Sequence, residues 1–256
     1  RALYDDQVRA RPQTDDPAYE HAWDGPVYRM VGPGPAAQDN AVLLSRLGDD
    51  DADAAIARQV AAFAARGHAF EWKLYEHDAP VDLARRLEHA GFVAGEPETL
   101  VVLDVEATTL APSLPAGVTL VELAAPEDFG RVVDLNVEVY GDPEHARWLA
   151  DALTKEKRAA PDALIGYAAV ADDEVVSAGW ARFPAGSAFG SLWGGATRAG
   201  WRGRGIYSAL VARRAADARA RGVRWLAVDC SADSLPILVR RGFTRVATTT
   251  PWVKSL

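Results

Sequence analysis

The sequence predicts an α/β protein of two successive domains, and three observations carry that prediction. Strand-type and helix-type periodicities alternate along the whole chain. The order strand, helix, strand, helix, strand occurs in each half, and both halves close with a helix, a Gly-Phe pair and a further strand. The pairs are Gly91-Phe92 and Gly242-Phe243, and superposing them at an offset of 151 residues brings Leu87 onto Leu238. Glycine ends many helices, so the pair gains weight only from the shared order around it. Together they read as a divergent internal repeat. Residues 110–117, with Pro112, Pro115 and Gly117, contain the expected linker at 111–117, between a first domain at 1–110 and a second at 118–256.

The elements follow in order. Residues up to Asp24 are polar, with a turn at Asp15-Asp16-Pro17 and a short helix at 5–10. Residues 27–31 and 40–47 alternate as strands, separated by the Gly32-Pro33-Gly34-Pro35 loop. Residues 51–66 form an alanine-rich helix with Ile56, Val60 and Phe63 at helical spacing and Gly67 as its stop. A strand at 70–75, a helix at 80–90 and a strand at 99–105 complete the first half. Asp78-Ala79-Pro80 and Asp233-Ser234-Leu235-Pro236 each place a capping residue shortly before a first-turn proline. In the second half, a strand at 118–123 precedes helices at 126–136 and 143–158. The first of these has a poor cap in Ala125, with Glu127 and Asp128 well placed for its dipole. Strands at 163–171 and 175–183 flank the turn dipeptide Asp172-Asp173 as a hairpin. A strand at 188–197, a helix at 203–221 and a strand at 224–229 lead to the final helix and Gly242-Phe243.

Composition narrows the function classes. Apolar content of 49% and charged content of 25% are those of a globular protein. The longest apolar run, 164–171, is eight residues, well short of the roughly 18 of a membrane helix, so no membrane partner is expected. The first 30 residues lack an apolar h-region, so no signal peptide is expected, and the single cysteine, Cys230, suits the cytoplasm. Five scattered histidines and no cysteine cluster point away from a metal site. Residues 1–110 hold 10 Lys/Arg against 20 Asp/Glu, whereas 111–256 hold 18 against 16. A net charge of −8 argues against nucleic acid as the main partner. Eight arginines against one acid between Arg198 and Arg224 suit instead a compact polyanion, although the run from Arg213 to Arg221 reads as a solvated helix face.

The stretch from Thr197 to Ser208 organises the chain. Arg202-x-x-Gly205 sits between an apolar strand and a helix start, with Gly203 and Arg204 inside it. Glycines let a backbone approach an anion, the first turn of a helix offers unpaired N–H groups, and arginine adds permanently charged donors. This pattern, with its flanking strand, following helix and terminal Gly-Phe, resembles the R/Q-x-x-G-x-G/A signature of the GNAT superfamily of acyl-CoA-dependent N-acyltransferases. The resemblance is strong over the last 140 or so residues and weaker over the first 110. It implies a tandem protein of two GNAT-like domains, each a central mixed β-sheet flanked by helices, the first degenerate. It also implies acetyl-CoA as cosubstrate, an amine acceptor, no metal, and a monomer or homodimer. The residues it assigns to the cofactor are Gly195, Ala196 and Thr197 beside pantetheine, Arg202, Gly203, Arg204, Gly205, Ile206, Tyr207 and Ser208 around the pyrophosphate, and Ser231. Tyr207 stands where the family has Gly or Ala, so its phenol has to turn away from the phosphates.

The two catalytic side chains common in the family are missing: Leu238 takes the place of the tyrosine acid, and Ser191 that of the strand glutamate. The remaining candidates are Glu138 and Tyr140, beside Asp142, in the helix–helix region that lines the acceptor side in the family; each is equally readable as a surface or packing residue. Asp229 reads as facing the cofactor, capping a helix or solvated. Cys230 reads as a covalent nucleophile or a buried inert thiol. Ser234 reads as a helix cap. Trp180, Trp193 and Trp201 read as pocket walls or core. Two functions stay open: an acetyl-CoA-dependent N-acetyltransferase acting on a small-molecule or protein amine, and a non-catalytic acyl-CoA-binding sensor. The first-domain counterpart of the loop, Ser45 to Asp53, offers one glycine and four aspartates, so a single cofactor per chain is expected.

Overall fold

A computed structural model describes residues 1–14 and 16–255. Asp15, part of the expected Asp15-Asp16-Pro17 turn, lies outside the described residues. The chain divides into two compact units that do not follow chain order: Arg1–Leu100 with Asp229–Ala232 and Arg245–Leu256, and Val101–Val228 with Asp233–Thr244. The contiguous reading, 1–110 against 118–256, therefore differs from the folded division at the strands. Val101 to Asp104 go to the second unit and the chain's last strand goes to the first. A strand joins whichever sheet offers it a ladder, and ladder partners are invisible to local periodicity.

The first unit begins with a short helix, α1 (Ala2–Tyr4), continued by a wider π-type turn at Asp5–Arg9. Its strands are β1 (Glu20–Asp24), β2 (Val27–Val31), β3 (Asn40–Ser45) and β4 (Phe70–Tyr75), with the short β5 (Val93–Ala94). Helices α2 (Ala52–Ala64) and α3 (Leu83–His89) alternate with them. Strand β1 falls in the stretch read only as polar. It is an edge strand that stays largely exposed, so it lacks the apolar alternation that betrays a half-buried strand. One face of β4 sends Phe70 and Trp72 into a core with Ile56, Phe63, Leu83, Leu87 and Phe92. The closing strand of the chain, β12 (Thr244–Lys254), runs antiparallel to β4 with Trp252 opposite Trp72.

The second unit takes the end of β6 (Glu98–Asp104), then β7 (Thr119–Glu122). The single helix expected at 126–136 is instead a 3-10 segment, Pro126–Val132, followed by α4 (Val133–Tyr140), which stops at left-handed Gly141. After it come α5 (Pro143–Ala159), β8 (Leu164–Ala171), β9 (Glu174–Arg182) and β10 (Phe189–Thr197). The chain continues through α6 (Ile206–Ala220), β11 (Trp225–Cys230) and α7 (Leu235–Arg240). The hairpin turn adopts positive φ at both Asp172 and Asp173, the type I′ geometry whose twist matches its strands. Leu123, Phe129, Leu135, Leu153 and Leu164 form the core between β8–β9 and the helices α4 and α5.

The internal repeat is visible at atomic detail. Gly91 and Gly242 both take positive φ, and the amides of Phe92 and Phe243 donate to Leu87 and Leu238 at 3.0 and 3.1 Å. Each phenylalanine and each leucine is buried. A left-handed glycine ends the helix and turns the next apolar side chain inward, so the same six-residue device, Leu87 to Phe92 and Leu238 to Phe243, closes a helix in each half.

In the first unit Arg9 is buried, and its guanidinium grips Asp78 through Nη1 and Nη2, each at 2.7 Å. Asp78, expected as a helix cap, serves this pair instead. Removing one partner of a buried pair strands the other charge, at a cost of about 3–5 kcal/mol. Arg9→Ala is expected to lower stability by that amount in urea unfolding, whereas Arg46→Ala, whose pair with Asp6 is exposed, should change it by less than about 1 kcal/mol.

Candidate functional site

The site begins with a failure of strand pairing. Strand β10 lies parallel to β11 over Phe189, Gly190 and Ser191 only, opposite Trp225, Leu226 and Ala227. On its other side it is antiparallel to β9, but the register breaks between Trp193 and Ala196, where Gly194 and Gly195 have no opposite residue. Gly194 holds φ +78°, and a methyl group there would lie 2.1 Å from the Trp180 ring. Only glycine fits that backbone.

Side chains hold the break at each end. The Ser177 hydroxyl lies 2.7 Å from the Ala196 carbonyl, to which it donates, and 2.7 Å from the Thr197 hydroxyl. Arg202 Nε donates to the Thr197 carbonyl at 3.1 Å. At the near end Arg214 Nη1 donates to the carbonyls of Trp180 at 2.9 Å and Trp193 at 3.2 Å. With these carbonyls occupied by side chains, Gly195, Ala196 and Thr197 form a strand end beside the gap that β11 leaves.

The loop that follows is built for an anion. Gly203 and Gly205 take φ +74° and +84°, and nothing lies within 4 Å of where a Cβ on Gly203 would stand. The first helical backbone bond of α6 runs from Ala209 to Gly205, so the amides of Ile206, Tyr207 and Ser208 lie in the helix's first turn, ahead of its first intrahelical bond. Arg202 and Arg204 are exposed, the latter stacked 4.8 Å over the Trp201 ring. The Tyr207 ring lies against Gly195, whose Cβ would meet it at 2.6 Å. The ring thus packs on the strand end. The linker borders the same loop: Leu114 packs with Ile206 and Trp201, and the Ser113 carbonyl lies 3.5 Å from where a Gly205 Cβ would be.

The catalytic candidates are in other company. The Glu138 carboxylate is paired with Arg198 Nη1, so it is already bound to a cation. Tyr140 closes α4, 58% exposed, its pKa raised by partial desolvation against the opposing charge of Arg202. Asp142 caps α5, accepting from the Glu144 and His145 amides at 3.1 and 2.9 Å. Cys230 is buried, which pushes its thiol up to about 11, with Asp229 adding to the shift; that excludes a ready thiolate nucleophile. Asp229 neither caps a helix nor lies in solvent. It accepts from Tyr75 Oη at 2.9 Å and pairs with Lys73 at 2.7 Å within the first unit. Ser231 also counts with the first unit, and Ser234 stands at the N-cap position of α7. Trp180 is core, whereas Trp193 is 41% exposed, its indole donating to Ser191 at 2.7 Å under the Arg182 guanidinium. Arg182 is itself held by the buried Glu156.

Of the run from Arg213 to Arg221, only Arg214 departs from the solvated face expected, at 1% exposed. Arg213, Arg219 and Arg221 are exposed, though Arg213 Nε donates to Tyr167 Oη, Arg219 to the Val105 and Thr108 carbonyls, and Arg221 to the Asp162 carbonyl. The signal for Arg214 was present in the spacing: Ile206, Leu210 and Arg214 follow at i, i+4 and i+8 on one helix face.

The first unit has a comparable parting of strands with a different occupant. Strands β3 and β4 are parallel only at Ala41–Glu71 and Val42–Trp72. Just beyond, the Leu43 carbonyl accepts from Arg9 Nε at 3.0 Å, and that guanidinium stacks 4.1 Å over the Tyr75 ring. The aspartates of the following loop do not cap α2 through its own amides: Asp51 Oδ1 accepts from Gly48 N at 2.7 Å, and Asp53 pairs with Arg86 at 3.1 Å. Among the described residues no group of three or more metal-ligating side chains is found, and no helix is long and apolar enough to cross a membrane.

Residues 125–243 match the family described as Acetyltransferase (GNAT) family. No curated protein sequence matches the chain. In structure the chain is similar to a GCN5-related N-acetyltransferase from Kribbella flavida, with 19% identity, a TM-score of 0.71, and coverage of 96% of this chain and 93% of that one. A GCN5-related N-acetyltransferase from Sphaerobacter thermophilus is similar at 17% identity and a TM-score of 0.64, covering 90% of this chain and 76% of that one. A tandem GNAT protein from the clavulanic acid biosynthesis pathway is similar at 16% identity and a TM-score of 0.66, covering 97% and 85%. These likenesses are of fold.

Proposed function

Because residues 125–243 are a GNAT acetyltransferase domain, we propose that the protein transfers the acetyl group of acetyl-CoA to a primary amine of a small molecule or protein. The observation that carries this is the junction of an opened strand with an anion-binding loop. The β10 end, freed from β11 after Ser191 and bulged at Gly194-Gly195, suits the amides of a pantetheine arm. The loop from Arg202 to Ser208 suits the pyrophosphate, with two glycines at positive φ, an open helix turn and two exposed guanidiniums.

In the reaction the amine loses a proton and attacks the thioester carbon; the tetrahedral adduct expels CoA thiolate, which is then protonated. Neither Glu138, tied to Arg198, nor Tyr140, with its raised pKa, is a ready base at neutral pH. Alignment of an amine delivered neutral against the thioester carries much of the acceleration, as effective molarity allows. Ile206, Tyr207 and Ser208 hold the phosphates, Gly195, Ala196 and Thr197 hold the arm, and the bulge sets the height of the thioester. The competing reading, an acyl-CoA sensor without turnover, is favoured by the absent acid and base alone. A thiol-release assay across amines, polyamines, aminoglycosides and peptides separates the two. Release above the hydrolytic background with at least one acceptor is expected. Binding without release for every acceptor would establish the sensor.

Replacing Arg202 and Arg204 together by alanine removes two phosphate-directed charges. Charge-assisted hydrogen bonds are worth roughly 1.5–3 kcal/mol each, so CoA affinity should fall by about one to two orders of magnitude or more in calorimetry. Pantetheine, which lacks the nucleotide, should lose much less.

One cofactor per chain is expected. In the first unit Arg9 holds the Leu43 carbonyl beside the parted strands, and the Ser45 to Asp53 loop presents four aspartates where the second unit presents arginines. Close like charges repel by about 4 kcal/mol per pair at an effective dielectric of 20. Titration with acetyl-CoA should therefore saturate near one equivalent, and a second equivalent would show that Arg9 yields its place.

A further inference from the structure

We infer that Arg214, two turns into α6, is a positioning residue that holds the β10 bulge in the form an acyl-CoA arm requires. The inference rests on the acetyl-CoA reading above and adds the device that keeps the strand side of that site open.

The guanidinium is placed where the ladder fails. Trp180 and Trp193 are the last opposed pair of β9 and β10 before the register breaks. Arg214 Nη1 donates to both of their carbonyls, while Nε donates to Leu210 one turn back on its own helix. Its seat is cut into the neighbouring strand: a methyl group on Gly179 would lie 2.9 Å from Nη1 and 3.0 Å from Cζ. The far end of the break is held independently by Ser177 on the Ala196 carbonyl. Between the two clamps stand Gly194 and Gly195.

Packing alone does not call for an arginine here. The position lies on the apolar face of α6 with Ile206 and Leu210, and a methionine would fill it without a buried charge. Burial lowers the pKa to about 10, against the opposing pull of Tyr207 and Asp217, so the group stays protonated at neutral pH. Nη2 is buried with no hydrogen-bond partner among the described residues. What an apolar side chain cannot do is donate to both carbonyls of this last opposed pair. Without that donor the near end of the break loses its clamp, and Gly194 and Gly195 are held only from the Ser177 end. The charge has a second effect at the same peptide. A charged donor on the Trp193 carbonyl polarises the unit whose N–H belongs to Gly194, strengthening it as a donor to a bound acyl or amide oxygen.

The test compares CoA with ADP, which keeps a pyrophosphate for the loop but lacks the arm that meets the strand. Calorimetry is run on the wild type, Arg214→Met, Arg214→Lys and Gly179→Ala; the last keeps the arginine and pushes it off its carbonyls. Arg214→Met and Gly179→Ala should each lower CoA affinity by about ten-fold or more, the loss of a charged clamp, and leave ADP affinity within about two-fold. Arg214→Lys should recover part of the loss. If Arg214→Met does not fold, Gly179→Ala and Arg214→Lys decide alone. Unchanged CoA affinity in the variants, or a parallel loss for CoA and ADP, overturns the inference while leaving the acetyl-CoA reading intact. A wild type that binds no CoA overturns both.

Discussion

Everything proposed for this protein depends on one strand leaving its ladder. Strand β10 has partners on both sides at Ser191, and within a few residues it has lost β11 and slipped against β9. A central strand normally spends every backbone group on its neighbours. At this break side chains add donors to the strand's carbonyls: Arg214 at Trp193, Ser177 at Ala196 and Arg202 at Thr197. The glycines permit the conformation, but they do not hold it. The holding is done by two arginines and a serine that reach the strand from elsewhere in the unit.

The two units treat a comparable parting of strands differently. Both have parallel strands that part early, and both follow the first of them with a loop and a helix. In the second unit exposed Arg202 and Arg204 flank that loop. In the first, Arg9 takes the strand carbonyl at Leu43, stacks on Tyr75 and closes a buried pair with Asp78. A guanidinium whose charge is matched by a buried carboxylate is a stable occupant, and such a pair is costly to open. The acidic loop beyond it adds repulsion to occlusion. Fold is thus retained where the ligand chemistry is not.

Catalysis in such a site leans on placement. The positions that carry an acid and a base in similar proteins hold Leu238 and Ser191, the first buried in the core and the second fixing the Trp193 indole. Glu156, the buried acid of α5, is bound to Arg182 under that indole. Glu138 and Glu156 are both already paired with arginines. Such a surface orients an acceptor more readily than it takes a proton from one.

The sequence by itself determined what is local. The arginine-glycine loop, most of the helices, the hairpin at Asp172-Asp173 and the paired Gly-Phe helix ends were legible, because each follows from turn residues that tolerate positive φ or from the spacing of apolar residues within a dozen positions. Other features were legible only to the folded chain. The assignment of the end strands to the units, the occupation of the first unit by Arg9, and the burial of Arg214 all join residues far apart in the chain, and the edge strand β1 lacks the apolar alternation that local rules read. Arg214 shows the difference most sharply. Its helical spacing with Ile206 and Leu210 marked it as inward-facing, while its charge marked it as solvated, and local rules offered no way to choose. The choice was made by two carbonyls at a broken ladder and a glycine on β9, which together made a site where a buried guanidinium has something to bind.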